Sequence, residues 1–491
     1  MTTALSKLRN LLSTRLLPLV LGGASVFGFA PFYLFPLPVL ALAGLFALIR
    51  DVTPREALLR GWLFGLGWFL AGVSWVYVSM HDVGGLALPV AGALTLLFAA
   101  FLALFPAAAI WLAARWRVSA RARVLILLPI LWTLAEWLRG WLLTGFPWQA
   151  IGYSQAPYGP LAAYAPILGV YGVSWLAALT AGALALWRPW PLALAVVVWL
   201  GGFGLARVDW TQPAGQPITV SLLQGNIAQE MKFRPEKLTD TLITYRDMIM
   251  ASDSRLIVLP ETAWPLFLDT IPADYLDPLR EHARQLGGHL LAGVPEREGE
   301  GRYYNSVAVL DGGPVQTYRK SHLVPFGEFV PFGFRWFVDA MAIPLSDFSR
   351  GRPDQAPLAA AGQRIAANVC YEDAFGEELI RALPAATLMV NVSNDAWFGD
   401  SFAPWQHLQI AQMRALETGR WWLKDNNTGI TAVLDEKGRV VASLKPFTAD
   451  VLDSEAQGMT GATPYSRWGN RAFLVLAALA LLGSTLLSRR R

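Results

Sequence analysis

The chain of 491 residues has one cysteine, Cys370, which excludes an intramolecular disulfide. Its five histidines show no metal-ligand spacing. It has no Gly-x-Ser-x-Gly sequence, which argues against a serine hydrolase. It also lacks a basic cluster interleaved with aromatic residues, the pattern typical of nucleic-acid binding. We therefore expect no metal, no cofactor and no nucleic-acid partner.

Acidic residues are scarce before Gly201, where the only carboxylates belong to Asp51, Glu56, Asp82 and Glu136. Apolar stretches near the ~20 residues needed to cross a bilayer recur there. Seven precede residue 210 and an eighth lies near the C-terminus: 12–30, 32–49, 61–80, 86–113, 124–143, 166–187, 190–206 and 472–488. We predict an α-helical polytopic membrane bundle of eight spans, without a cleaved signal peptide.

Lysine and arginine concentrate in alternate connections between these stretches, and this pattern predicts the orientation. The basic connections contain Lys7, Arg9, Arg15, Arg50, Arg55, Arg60, Arg115, Arg117, Arg121, Arg123, Arg188 and Arg489 to Arg491. Arg207, at the far end of span seven, is the exception. Both termini are therefore predicted to be cytoplasmic, and the long segment between spans seven and eight extracytoplasmic.

Three domains follow from this charge pattern. Residues 1–210 form a membrane domain of seven helices, 211–455 an extracytoplasmic domain, and 456–491 a last span with a basic tail. In the fifth span, Glu136 and Arg139 lie three residues apart on one helix face. They form either an ion pair inside the bundle or a contact with a lipid headgroup.

Strands and helices alternate between residues 218 and 455, as in a layered α/β domain. The predicted strands are Ile218–Leu223, Leu256–Leu259, His289–Val294, Ser306–Leu310, Val315–Tyr318, Ile365–Cys370, Leu388–Val392, Ile430–Leu434 and Val440–Ser443. Three predicted strands lead to a reactive side chain: Glu261 after Ile-Val-Leu-Pro, Lys320 after Thr-Tyr-Arg, and Cys370 after Ala-Asn-Val. Taken singly, Glu261 and Lys320 would be interpreted as solvated loop residues, and Cys370 as a small buried hydrophobic residue. Together they have a chemical logic, because a carboxylate can deprotonate a thiol while an ammonium stabilises thiolate and oxyanion. The N–H of Tyr371 is a candidate second oxyanion donor.

These motifs carry a family resemblance. Leu-Pro-Glu261-Thr, Tyr-Arg-Lys320 and Val-Cys370-Tyr-Glu resemble the Glu-Lys-Cys triad of the nitrilase (carbon–nitrogen hydrolase) superfamily, whose fold is an α-β-β-α sandwich. Further motifs, set between seven spans and one, resemble the bacterial apolipoprotein N-acyltransferase family: Lys320-Ser-His-Leu-Val-Pro-Phe-Gly-Glu328, Ser393-Asn-Asp-Ala-Trp397-Phe-Gly and Trp405-Gln-His.

The resemblance implies a reaction in the bacterial inner membrane, the last step of lipoprotein maturation. Cys370 would take an acyl chain from a phospholipid, typically phosphatidylethanolamine, as a thioester. The chain would then pass to the α-amine of a diacylglyceryl-modified cysteine on an apolipoprotein. Glu261 would be the base and Lys320 the oxyanion stabiliser of this ping-pong acyltransferase. The enzyme would be a membrane-embedded monomer with its catalytic domain in the periplasm.

The resemblance also implies supporting roles for Asn305, Glu328, Tyr371, Glu372 and Trp397. Phe233 replaces a tryptophan that the family often has, so an indole N–H is lost. The stretch 421–429 is bulkier and more polar than the family's small-residue run, which puts its local packing in doubt. Residues 334–348, including Trp336, are unusually apolar and are either a mobile lid that dips into lipid or a segment packed on the membrane helices.

Two rival interpretations remain from the sequence. A membrane-anchored amidase or nitrilase would use the same triad but would not need seven helices ahead of it. A transporter with an inactive soluble domain would not need Glu261, Lys320 and Cys370 together.

Overall fold

The computed structural model describes residues 15–232, 234–299, 301–330 and 347–489, and these divide into two compact units. One unit contains the described residues up to Tyr77, Ala87–Val208, and the residues from Trp468 onward. The other contains Val78–Leu86 and Asp209–Arg467. The predicted triad therefore lies entirely in the second unit.

The first unit is helical. Its helices are α1 (Leu17–Ala24), α2 (Pro36–Ile49), α3 (Pro54–Gly72), α4 (Trp75–Val78, which runs into the second unit), α5 (Leu88–Leu102), α6 (Leu104–Arg115), α7 (Ala120–Ala122), α8 (Leu128–Arg139), α9 (Ala165–Leu186) and α10 (Pro189–Leu205), with α17 (Arg471–Arg489) near the C-terminus. Proline stands in the first turn of several of them, where its missing N–H breaks no helical hydrogen bond. Short 3₁₀ and π turns connect them.

Two helical stretches in the described residues are long and apolar enough to cross a membrane: Leu88–Arg115 and Pro160–Leu186. The bent pair Pro54–Gly72 and Trp75–Val83 adds a third if it is counted as one span. Shorter apolar helices cover Leu17–Gly28, Pro36–Ile49, Pro189–Leu205 and Arg471–Leu486. The number of eight spans thus stays a prediction.

Glu136 and Arg139 bind the backbone of the connection that follows their helix. The Glu136 carboxylate accepts hydrogen bonds from Trp132 Nε1 and from the N–H of Ile151, both at 2.9 Å. Arg139 donates to the carbonyl oxygens of Phe146 and Trp148. Of the two roles left open by the sequence, these contacts support the structural one inside the unit.

The second unit contains two six-stranded sheets in its described residues. The first has the order β13-β2-β3-β4-β5-β6 and the second β12-β11-β10-β9-β8-β7. A small separate sheet pairs β1 with β14. The strands are β1 (Thr211–Pro213), β2 (Ile218–Gln224), β3 (Leu256–Leu259), β4 (His289–Glu298), β5 (Arg302–Leu310), β6 (Gln316–Arg319), β7 (Leu358–Ala360), β8 (Gln363–Val369), β9 (Leu388–Ser393), β10 (Trp422–Asn426), β11 (Ala432–Leu434), β12 (Val440–Ser443), β13 (Asp450–Ala456) and β14 (Met459–Gly461).

The second unit also contains the helices α11 (Gln229–Lys232), α12 (Pro235–Ala251), α13 (Ala273–Gln285), α14 (Gly376–Leu379), α15 (Ala403–Thr418) and α16 (Pro464–Trp468). One apolar core joins the facing sides of the two sheets, from Val220 and Val258 to Val369 and Val390. Two further cores pack α12 and α13 on one outer face and α15 on the other. This is the predicted α-β-β-α sandwich.

Strand direction places the reactive groups. Strands β2, β3 and β4 are parallel, and β6 runs in the same sense because two antiparallel pairings separate it from β4. In the second sheet β8, β9 and β10 are parallel. Glu261 and Lys320 therefore follow the carboxyl ends of co-directional strands in one sheet, and Cys370 follows such an end in the other.

The strand prediction is confirmed in most of the domain and incomplete elsewhere. Predicted segments such as Leu256–Leu259 and Val440–Ser443 are strands with these bounds. The predicted Ile365–Cys370 strand ends one residue earlier, at Val369. Strands β1, β7, β10, β13 and β14 were not predicted from the sequence, because they are short or polar.

Candidate active site

Cys370 stands at a sharp strand-to-helix turn. Strand β8 ends at Val369, and the 3₁₀ turn Cys370–Ala374 begins at once. Cys370 itself has φ +52°, a left-handed conformation that is unusual for a residue other than glycine. Such strain persists only where the surroundings hold it in place. The turn exposes the cysteine partly, although its neighbours are buried.

Glu372 ties this turn to the loop that contains Lys320. Its carboxylate accepts from the N–H of Val369 at 2.8 Å, which closes the turn around Cys370. It also accepts from the N–H groups of Ser321 at 2.7 Å and His322 at 3.0 Å, and from the hydroxyl of Tyr318 at 3.0 Å. One buried side chain thus joins the loop after β8 to the loop after β6.

Lys320 is fully buried between two carboxylates. Its Nζ lies 2.8 Å from Glu328 Oε2 and 3.8 Å from Glu261 Oε1. Asn305 Nδ2 donates to Glu261 Oε1 at 2.7 Å and to Glu328 Oε1 at 2.9 Å. Burial alone lowers the pKa of Lys320, but Glu328 and Glu261 outweigh it and raise that pKa above its ordinary value. Lys320 is therefore a permanent cation that orients Glu261.

The Cys370 thiol is protonated at rest. Burial raises its pKa well above the ordinary value, Glu261 raises it further, and Lys320 acts in the opposite direction. Lys320 favours the thiolate, as predicted from the sequence, but the net effect of all the surroundings is to raise the pKa of Cys370. A thiol in this state needs a base at the moment of attack, and the Glu261 carboxylate interacts with it electrostatically.

Lys232 is a second buried lysine at the site and was not predicted from the sequence. Its Nζ donates to the backbone carbonyl of Glu261 at 2.9 Å. Burial lowers the pKa of Lys232 to about 8, while Glu261 and Cys370 act to raise it. In the sequence it resembles any basic residue ahead of a helix, because only the fold brings α11 to the end of β3.

Both parts of the chain match known families. Residues 21–183 match the apolipoprotein N-acyltransferase N-terminal domain, and residues 219–465 match the carbon-nitrogen hydrolase family. The apolipoprotein N-acyltransferase of Nitrosomonas europaea is 53% identical over 95% of this chain and 96% of its own length. The chain belongs to the apolipoprotein N-acyltransferase family. The enzyme of that name from Chromobacterium violaceum is 47% identical over all of this chain and 96% of its own.

A solved carbon-nitrogen hydrolase from Helicobacter pylori matches 49% of this chain and 89% of its own, with 17% identity and a TM-score of 0.36. This similarity is too weak to add to the assignment. Family membership rests on the relatives and confirms the resemblance identified in the sequence, an acyltransferase with a nitrilase-like domain.

The residues predicted for an apolipoprotein N-acyltransferase site fall into three groups. The structure brings Glu261, Asn305, Lys320, Glu328 and Glu372 into the contacts above, with Tyr371 buried next to Cys370. Trp397 lies in the 3₁₀ turn Asp395–Phe398 after β9, where its carbonyl accepts from Ser79 Oγ at 2.7 Å. Phe233 and Trp336 lie outside the described residues.

The predicted lid also lies largely outside them. Only Asp347 and Phe348 of the segment 334–348 are described. The N–H of Phe348 donates to the carbonyl of Glu328 at 2.9 Å, and its ring packs edge-on against Tyr303. The segment is thus anchored beside Glu328 at its C-terminal end. Among the described residues there is no group of three or more His, Cys, Asp or Glu that would hold a metal.

Proposed function

We propose that this chain N-acylates the α-amine of diacylglyceryl-cysteine on apolipoproteins, with a phospholipid, typically phosphatidylethanolamine, as acyl donor. The observation that carries the proposal is the convergence of Glu261, Lys320 and Cys370, each directly after the carboxyl end of a strand, in a member of this family. This would be the last step of lipoprotein maturation.

In the first half-reaction, Cys370 Sγ attacks the ester carbonyl carbon of the phospholipid while Glu261 takes the thiol proton. The raised pKa of the thiol explains why a base is needed. Lys320 and the N–H of Tyr371 stabilise the oxyanion. The C–O bond then breaks, Glu261 returns the proton to the leaving alkoxide, and a lysophospholipid departs.

In the second half-reaction, the free α-amine of the apolipoprotein attacks the thioester carbonyl. Glu261 takes a proton from the nitrogen, the C–S bond breaks, and the thiol is restored. Using one base for both directions of proton transfer requires a fixed carboxylate. Asn305 and Lys320 hold its side chain, and Lys232 holds its backbone.

The proposal places the chain in the bacterial inner membrane as a monomer. The eight apolar stretches would embed it, with both termini in the cytoplasm and the catalytic unit in the periplasm. Support for this orientation is the distribution of arginine and lysine along the sequence. An acyl donor in the outer leaflet would then lie on the same side as Cys370.

The test is a two-step acyl transfer followed by mass spectrometry. Purified full-length protein is incubated with phosphatidylethanolamine, and we expect a mass increase of one acyl chain on Cys370. A diacylglyceryl-cysteine peptide is then added, and the adduct should move to its amine. Cys370→Ser should show neither step, and Glu261→Gln should form the adduct at least about a hundredfold more slowly.

Two results would contradict the proposal. Failure of the wild type to form any phospholipid-derived adduct removes the acyl-donor assignment. An adduct that is lost to water at the same rate with and without the peptide identifies a hydrolase instead.

A further inference from the structure

Four buried charged side chains lie on the protein side of the Cys370 turn: Asp373, Asp395, His407 and Lys424. We call them the elbow cluster. Each is at most 1% exposed. His407 Nδ1 lies 3.0 Å from Asp395 Oδ1, and His407 Nε2 lies 2.9 Å from Asp373 Oδ1. Lys424 Nζ donates to the other oxygen of Asp373 at 3.2 Å.

His407 is an imidazolium in this arrangement. A carboxylate faces each ring nitrogen, so both nitrogens must act as donors. Burial and Lys424 lower the pKa of His407, and Asp373 and Asp395 raise it, to about 9 overall. Two anions and two cations leave the elbow cluster neutral.

The elbow cluster reaches the main chain of the nucleophile. His407 Nε2 lies 3.3 Å from the carbonyl oxygen of Cys370, and Asn391 Nδ2 donates to the same oxygen at 3.0 Å. Asn391 is held in turn, because its Oδ1 accepts from Lys424 Nζ at 2.9 Å and from Ser393 Oγ at 2.6 Å. The Cys370 carbonyl is therefore fixed from two sides.

A fixed carbonyl also fixes the next N–H. The Cys370–Tyr371 peptide is trans, so its C=O and N–H point in opposite directions across one plane. With the carbonyl directed into the elbow cluster, the N–H of Tyr371 is directed away from it. We propose that His407 and Asn391 are positioning residues that lock this peptide so that the Tyr371 N–H serves as oxyanion donor.

The proposal rests on the proposed function only in that Cys370 must accept an acyl group. It explains why the fold retains four charges in its interior. The desolvation of buried ions offsets much of their attraction, so such a cluster adds little net stability. The contribution of the elbow cluster is instead to hold Cys370, whose φ is +52°, and the peptide that follows it in one orientation.

The test compares two reactions of the same thiol in the full-length protein. p-Nitrophenyl octanoate acylates Cys370: the S–C bond forms at a carbonyl carbon, p-nitrophenolate leaves, and the thiol proton passes through Glu261 to solvent. Iodoacetamide alkylates Cys370 at a saturated carbon with iodide as leaving group, and no oxyanion forms. Loss of the oxyanion donor therefore slows the first reaction and spares the second.

The matched variants are His407→Asn and His407→Gln. Both remove the imidazolium charge. The amide nitrogen of Gln reaches the place of Nε2, next to Cys370, whereas that of Asn reaches the place of Nδ1. We expect His407→Asn to slow acylation at least about tenfold, against the 10²–10³ for complete loss of an oxyanion donor. Alkylation should stay within about twofold of wild type, and His407→Gln should recover most of the acylation rate.

Asn391→Asp is the independent variant, since it turns a donor to the Cys370 carbonyl into an acceptor. It should show the same split between the two reactions, and melting temperatures establish that each variant is folded. If His407→Asn does not fold, Asn391→Asp decides the question.

Three results overturn the proposal: equal losses in acylation and alkylation, equal acylation rates in His407→Asn and His407→Gln, or no loss at all. If wild-type protein accepts the ester but no phospholipid, the proposed function fails while this comparison stands.

Discussion

Removing the charge of Glu372 should loosen both loops at the site. In Glu372→Gln one oxygen remains for the N–H groups of Ser321 and His322, and an amide nitrogen takes the place of Oε2. In the wild type, Oε2 of Glu372 accepts a hydrogen bond from the N–H of Val369 at 2.8 Å. The substitution therefore places two donors face to face at the residue before Cys370.

The size of the effect follows from these contacts. A buried N–H left unpaired costs about 1–3 kcal/mol, and each hydrogen bond to a charged acceptor loses about 1 kcal/mol when the acceptor becomes neutral. Because such terms are not additive, we expect about 2–5 kcal/mol in total. At about 2–4 °C per kcal/mol for a domain of this size, the melting temperature should fall by about 10 °C.

The assay is thermal unfolding in detergent, paired with acyl-enzyme formation from phosphatidylethanolamine. Glu378→Gln is the matched control, because among the described residues its carboxylate has one hydrogen-bond partner, His322 Nδ1 at 3.1 Å, and is 29% exposed. A partly exposed pair of this kind contributes about 0–1 kcal/mol. If Glu372→Gln had the same melting temperature as Glu378→Gln and formed acyl-enzyme at the wild-type rate, Glu372 would not join the loops that follow β6 and β8.

Three further predictions concern single side chains. Lys232 is charged below about pH 8 and neutral above it, so acyl-enzyme formation should fall through pH 8 in wild type; Lys232→Arg should move that fall to higher pH, and superposable rate profiles would contradict the role. Burial raises the pKa of Asp425 well above its usual range. The unfolded carboxyl ionises near its model value of 3.8, so the penalty on folding grows as pH rises from there towards the folded pKa. Asp425→Asn should therefore raise the melting temperature more at pH 8 than at pH 5, and a difference independent of pH would refute this. Glu328→Gln should slow adduct formation far less than Glu261→Gln, since Glu328 supports Lys320 and takes no proton; equal losses in rapid-quench mass spectrometry would assign both acids to catalysis.

The local sequence pattern was sufficient to predict many of the strands of the second unit. Strands such as Leu256–Leu259 are runs of apolar residues bounded by turns, and their bounds were predictable. Strand β10 was not, because Trp422–Asn426 contains Lys424, Asp425 and Asn426, residues that ordinarily mark a surface loop. The burial of Lys424 depends on Asn391 in β9 and Asp373 in the Cys370 turn, which accept hydrogen bonds from its Nζ.

The candidate site divides in the same way. Glu261 and Cys370 follow buried apolar strands, and Lys320 follows the short, half-buried strand Gln316–Arg319. Their positions at strand ends were visible in the sequence. Lys232 and His407 lie on helices and carry no comparable mark. In the sequence, His407 stood out only as one of five histidines without metal-ligand spacing and as the last residue of the family motif Trp405-Gln-His. Its proposed role rests on Asp373 and Asp395, which precede it by 34 and 12 residues.

The amino-acid sequence by itself determined the α/β class of the second unit, the family, and the choice of Glu261, Lys320 and Cys370 as candidate catalytic residues, because each depends on residue type and on neighbours a few positions away. Only the tertiary structure decided the protonation of the Cys370 thiol, the hydrogen bond from Lys232 to the backbone of Glu261, and the elbow cluster next to Cys370. Those properties depend on burial and on charges brought together from distant strands, and burial is set by packing that no local pattern specifies.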